Sequence, residues 1–133
     1  MWADLIQDLA ATLRAALTGV EVVTHADAEV PTVDTVRVLR GSMTGWPVYA
    51  KPAGQQALSL EVWTYDENDY AAADRRLQEL EALVAKALEN LPRGGLIFKV
   101  TVIGIEGDGD LFRPSVGSNI SIRVHWRNLT TRS

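Results

Sequence analysis

Between residues 57 and 91 the hydrophobic period changes once, from two to about three and a half, and that change limits what the chain can fold into. In 57–64, Leu58, Leu60 and Val62 alternate with Ser59, Glu61 and Trp63. Strict alternation places the first three on one face of a strand and the others on the opposite face. A polar turn follows at 65–69. Beyond it Ala73, Leu77, Leu80, Val84, Ala87 and Leu91 recur at spacings of four and three, the apolar seam of an amphipathic helix. A half-buried strand feeding directly into a helix predicts an α+β domain in which the helix covers one face of a sheet. Asp66 or Asn68 is the expected N-cap, and Asp66 with Asp69 is close to a capping box. The acidic turn is read as a helix start, where negative charge is favoured, rather than as a metal site.

The flanking segments extend the same scheme. Residues 2–17 carry a stripe of Leu5, Leu9, Leu13 and Leu17 and stop at Gly19, which predicts a first helix. Residues 20–24 and 35–40 are rich in β-branched residues and predict two strands. Residues 97–106 predict a fourth strand, with Phe98, Val100 and Val102 on one face and Lys99 and Thr101 on the other. In 118–127, Ile120, Ile122, Val124 and Trp126 alternate with Ser121, Arg123, His125 and Arg127. The expected order is α-β-β-β-α-β-β: an antiparallel or mixed sheet of about five strands with two helices on one face. The 133 residues suit one domain. Two stretches, 41–56 and 107–117, show no periodicity and are expected as long loops, and 128–133 as a frayed polar tail.

Chemistry is scarce. The chain has no cysteine, which removes thiol catalysis and cysteine-ligated zinc. His25 and His125 have no ligand at metal-binding spacing. Phosphate-loop, dinucleotide-fingerprint and nucleophile-elbow patterns do not occur. Glu106, Asp108 and Asp110 have the spacing that opens a calcium loop, but the closing carboxylate is missing. A net charge of -4 argues against a free nucleic-acid binder. No apolar run reaches the roughly 18 residues needed to span a membrane, and the acidic start is unlike a signal peptide. No cofactor or metal is expected.

The sheet face turned away from the helices is expected to hold Arg37, Ser59, Glu61, Trp63, Lys99, Thr101, Arg123, His125 and Arg127. Both charge signs mixed with a tryptophan suit a wet protein interface. The loops add Trp46, Tyr49, Phe112 and Arg113, aromatics and a cation able to fold back as lids or to anchor a partner.

Three features together resemble the tail terminator (tail completion, head-to-tail joining) proteins of long-tailed bacteriophages. They are the first helix with its short strand at 20–24, the strand, acidic turn and helix of 58–74, and the closing strand at 120–126. The resemblance covers nearly the whole chain. It implies a non-enzymatic structural protein that forms a hexameric ring at the head-proximal end of the tail tube. Such a ring, assembled in the host cytoplasm, ends tube polymerisation and presents the surface that joins the head. Its partners would be copies of itself, the tail tube protein and the head-completion or connector protein. DNA would pass through its channel without specific binding, which an acidic chain favours. Arg37, Glu61, Lys99, Arg123 and Arg127 would then pair across subunits, while Trp46, Tyr49, Phe112 and Arg113 would meet tube or connector. Two alternatives stand beside this reading: another connector or tube component, and a small ligand-binding or enzymatic domain with a pocket near Trp63, Arg123 and His125.

Overall fold

The computed structural model describes residues 2–25, 31–40, 53–91, 95–107 and 115–127. Along the chain these form α1 (Trp2–Ala16), β1 (Glu21–Val23), β2 (Thr35–Arg40), β3 (Ala53–Tyr65), α2 (Tyr70–Glu89), β4 (Ile97–Gly107) and β5 (Ser115–Arg127). The order is the expected one, and the fold is α+β. The strands make one sheet, β1-β2-β3-β5-β4. Only β1 and β2 pair in parallel; the three other pairings are antiparallel.

Alternation explains the core directly. Val36 and Val38 of β2 stand opposite Val62 and Leu60 of β3. Leu60 and Leu58 stand in turn opposite Ile120 and Ile122 of β5. All are buried, and with Val124, Trp126 and Ile97 they make the floor of the core. α1 lays Leu5, Leu9 and Leu13 on this floor, and α2 lays Ala73, Leu77, Leu80, Val84, Ala87 and Leu88 beside them. Fully burying one such side chain stabilises by roughly 1.5–3 kcal/mol, several times the ~0.2–0.5 kcal/mol of an exposed helix pair, so packing on the sheet is what holds both helices. After α1, Gly19 takes a positive φ of 77°, a conformation that suits glycine at a helix stop.

The structure corrects the expected boundaries in several places. β3 begins at Ala53 and β5 at Ser115, so 53–56 and 115–117, expected as loop, are strand. The cause is mutual pairing: β3 and β5 run side by side from Ala53 opposite Arg127 to Tyr65 opposite Ser115. Helix α2 is capped by Asp69, whose side chain accepts from the Ala72 backbone N–H at 3.1 Å. Asp66 instead closes the turn, accepting from the Asn68 and Asp69 N–H groups at 3.0 Å each. Those two donors, followed by Arg76, hold the Asp66 carboxyl below its usual value. The α2 seam ends on Leu88 rather than Leu91, because the helix stops at Glu89 with Asn90 as C-cap and Leu91 leaves the helical path. On β4, an irregularity between Ile97 and Lys99 sends Phe98 to the face opposite Val100. An inserted residue shifts the alternation by one. The stretches 41–52, 108–114 and 128–133 lie outside the described residues.

Arg76 ties the first turns of α2 to the rest of the sheet. Its guanidinium donates to both oxygens of Asp34, at 3.1 and 3.2 Å, to Asp66 at 3.4 Å, and to the Tyr65 carbonyl. The fork geometry of arginine makes such multiple acceptance possible. It joins the segment before β2, the end of β3 and the start of α2 in one node.

Candidate protein interface on the open sheet face

Residues of the sheet that alternate with the core form a face no described helix covers. The structure divides the expected interface residues on this face into two groups.

The first group is Arg37, Glu61 and Trp63. Arg37 stands directly opposite Glu61 in the β2–β3 register. Its guanidinium donates to Glu61 Oε1 at 3.1 Å, and Trp63 Nε1 donates to the same oxygen at 3.1 Å. Arg37 is 7% exposed and Trp63 6%. The indole lies flat on Gly117, the residue opposite it on β5: a Cβ there would sit 2.6 Å from Trp63 Cε3. This group is therefore built as a small second core on the open face. Arg37 and Glu61 pair within one chain, where the sequence reading had them paired between subunits.

The second group is Lys99, Arg123, His125 and Arg127, with Phe98 and Thr101. Lys99 stands opposite His125, and Thr101 opposite Arg123. Thr101 Oγ1 lies 3.3 Å from His125 Nε2. The Phe98 ring tilts against His125 with centroids 6.2 Å apart, and the Arg127 guanidinium carbon lies 4.9 Å from the Phe98 centroid. That is within cation–π range. Phe98 was expected in the core; the sequence signal that could have moved it is its position beside Ile97, where two successive large apolars break the alternation.

The two groups do not meet. Glu61 stands opposite Asn119 on β5, while His125 is six residues further along, roughly 20 Å at strand spacing. Trp63 therefore does not approach His125 or Arg123, and the pocket expected from these three residues is not formed. Between the groups the face is built of small polar residues. Arg40, Ser59, Ile103, Asn119, Ser121 and Arg123 are among the lining of a groove of about 380 Å³. Ser59 donates to Asn119 across it at 2.6 Å. Trp46, Tyr49, Phe112 and Arg113 lie outside the described residues, as do Asp108 and Asp110.

Burial first, then Lys99 and Arg123, lowers the pKa of His125 below its usual 6.5. Folding thus disfavours its protonated form. The unfolded chain binds the proton more readily between the lowered value and 6.5, so stability falls as pH drops through that window and is flat above it. His125→Gln is expected to flatten this part of the profile. Urea midpoints taken between about pH 7.5 and 5.5 check it, since that range contains the histidine transition; an unchanged slope would remove His125 as its source.

Sequence reasoning did not mark the outer edge of β4. Val102, Ile103 and Ile105 are 42%, 56% and 51% exposed there. An isoleucine-rich strand reads as core unless its neighbours are known.

No family model matches the chain, and no curated protein matches it. Among solved structures, it is similar to a chain of the virion of a native gene transfer agent particle. The match has 14% identity and a TM-score of 0.57, and covers 96% of this chain and 95% of that one. It shows a common fold over nearly the whole length of both. Two structures from Akkermansia muciniphila, one of a protein without its transmembrane region, match at TM-scores of 0.40 and 0.43 with 14% and 15% identity. These matches cover 73% and 96% of this chain, which spans about half the length of each (46% and 50%).

Proposed function

We propose that this chain is a structural protein of a phage-like virion, and within that class a tail terminator. It would form a ring on the head-proximal end of the tail tube, end tube polymerisation and present the joining surface to the head connector. The observation that carries this reading is the fold held in common with a gene transfer agent virion chain from end to end. The tail-terminator element order and the mixed-charge face around Lys99, Arg123, His125 and Arg127 support the finer assignment. A ring needs a head-to-tail contact that closes on itself, and that face, with the groove beside it, offers a surface for one.

Deleting the gene from the particle-producing cell tests the proposal. The expected result is tail tubes of irregular and increased length without attached heads, with joining restored when the purified protein is supplied. Antibody labelling in negative stain should fall at the head–tail junction. Normal particles in the absence of the protein, or label on the capsid or the distal tail tip, would overturn the assignment. Unlimited polymerisation of the purified protein would identify a tube subunit instead.

A further inference from the structure

The two edges of the sheet differ. At one edge β1 is three residues long, and its Val22 carbonyl accepts from Arg14 at 3.1 and 3.3 Å, so α1 already covers it. At the other, β4 is eleven residues long. Six large hydrophobic side chains are exposed among the described residues, and four of them, Phe98, Val102, Ile103 and Ile105, are on β4. A long apolar edge is a template for another strand unless charges or covering elements blunt it.

The charges on β4 show which strand fits. Its charged residues are Lys99 and Glu106, both exposed and both on the open face, opposite His125 and Asn119. If a second copy of β4 runs antiparallel beside the first, with Lys99 opposite Glu106, the positions between them pair as Val100 with Ile105, Thr101 with Gly104, and Val102 with Ile103. Antiparallel partners must share a face. Val100 and Ile105 both lie on the helix side, opposite Val124 and Ile120; Thr101 and Gly104 both lie on the open side, opposite Arg123 and Ser121. In an unbroken strand this register would set every residue against one of the opposite face. The irregularity between Val102 and Gly104 shifts the alternation midway, so the faces agree on both sides of the central step, where Val102 is on the helix side and Ile103 lines the open-face groove.

We propose that β4 is a self-complementary docking edge, and that its occupant is β4 of a second copy of this chain. Residues 99–106 of each pair antiparallel about a two-fold axis beside Val102 and Ile103. The two sheets join into one, with all four helices on the same side. Two Lys99–Glu106 pairs flank the seam, and Val100, Val102 and Ile105 of each copy cover one another on the helix side. The pair is closed by its symmetry, so it is separate from a head-to-tail ring contact and does not depend on the tail-terminator reading.

Charge exchange tests the register. By light scattering after gel filtration at about 50 μM, a concentration suited to a micromolar pair, the wild type is expected at twice its 14.6 kDa chain mass. Lys99→Glu alone and Glu106→Lys alone each set like charges opposite at both ends, and each should weaken the pair at least ~10-fold. The double variant should restore it, and so should mixing the two single variants. Because the chain has no cysteine, a mixture of Lys99→Cys and Glu106→Cys chains should form an inter-chain disulfide on oxidation, and neither chain alone should. Unchanged circular dichroism confirms that the variants fold. A monomeric wild type, single variants that pair normally, failure of the mixture to recover, or no crosslink in the mixed chains would each overturn the proposal. The gene-deletion result on tails stands apart from every one of these outcomes.

Discussion

Replacing Trp126 with alanine is expected to cost about 3–5 kcal/mol, the range for deleting a large aromatic from a packed core. Trp126 is 1% exposed and the largest fully buried side chain among the described residues. Its ring lies across Gly54, where a Cβ would come within 2.8 Å of Cζ2, so strand β3 approaches too closely to leave the space refilled by a small shift. With a urea dependence of ~1.5–2 kcal/mol per molar, the denaturation midpoint should fall by about 2 M. Trp126→Phe should cost less than about 1.5 kcal/mol. It keeps most of the ring and removes Nε1–H, which is buried and finds no hydrogen-bond partner among the described residues. A midpoint shift under ~0.5 M for the alanine variant would show that the ring is not packed as described.

Glu61→Ala is expected to cost about 2–4 kcal/mol. Removing one partner of a largely buried ion pair is destabilising, and here the Arg37 side chain is 8% exposed and the Glu61 side chain 27%. Trp63 loses its acceptor in the same step. Removing both charges, with Arg37→Met and Glu61→Ala together, should cost less than the two single changes added. The coupling from that double-mutant cycle reports the pair itself. Additive costs would mean that Glu61 acts only through Trp63. Since the group is on the open face, the same variants connect stability with the proposed function: under that proposal Glu61→Ala should alter particle joining only as far as it lowers the amount of folded protein.

Much of the fold was legible because its signals are local. The spacing of Leu58, Leu60 and Val62, and of Ala73 through Ala87, depends on backbone geometry within a few residues, and the structure places these side chains on the core as expected. The open face was legible for the same reason, down to Arg37, Glu61, Lys99, Arg123, His125 and Arg127. Their grouping was not. Which of these side chains meet depends on register between strands far apart in sequence, and the β3–β5 register sets Glu61 and His125 at different ends of the sheet. The cap of α2, expected at Asp66 or Asn68, was missed by one to three residues because Asp66, Asn68 and Asp69 are all good acceptors; only the backbone path decides that Asp66 closes the turn and Asp69 caps the helix.

By itself, then, the sequence determined the order of elements and the two faces of every strand but β4, since both follow from short periodicities. Tertiary structure decided the rest. It made β4 an edge and β3 a central strand, though both are apolar and alternate. It turned Phe98 outward through an irregularity at Ile97–Lys99, and it lengthened β3 and β5 because each completes the other's hydrogen bonds. Edges, registers and irregularities are properties of pairs of strands, and a pair exists only once the chain has brought distant segments together.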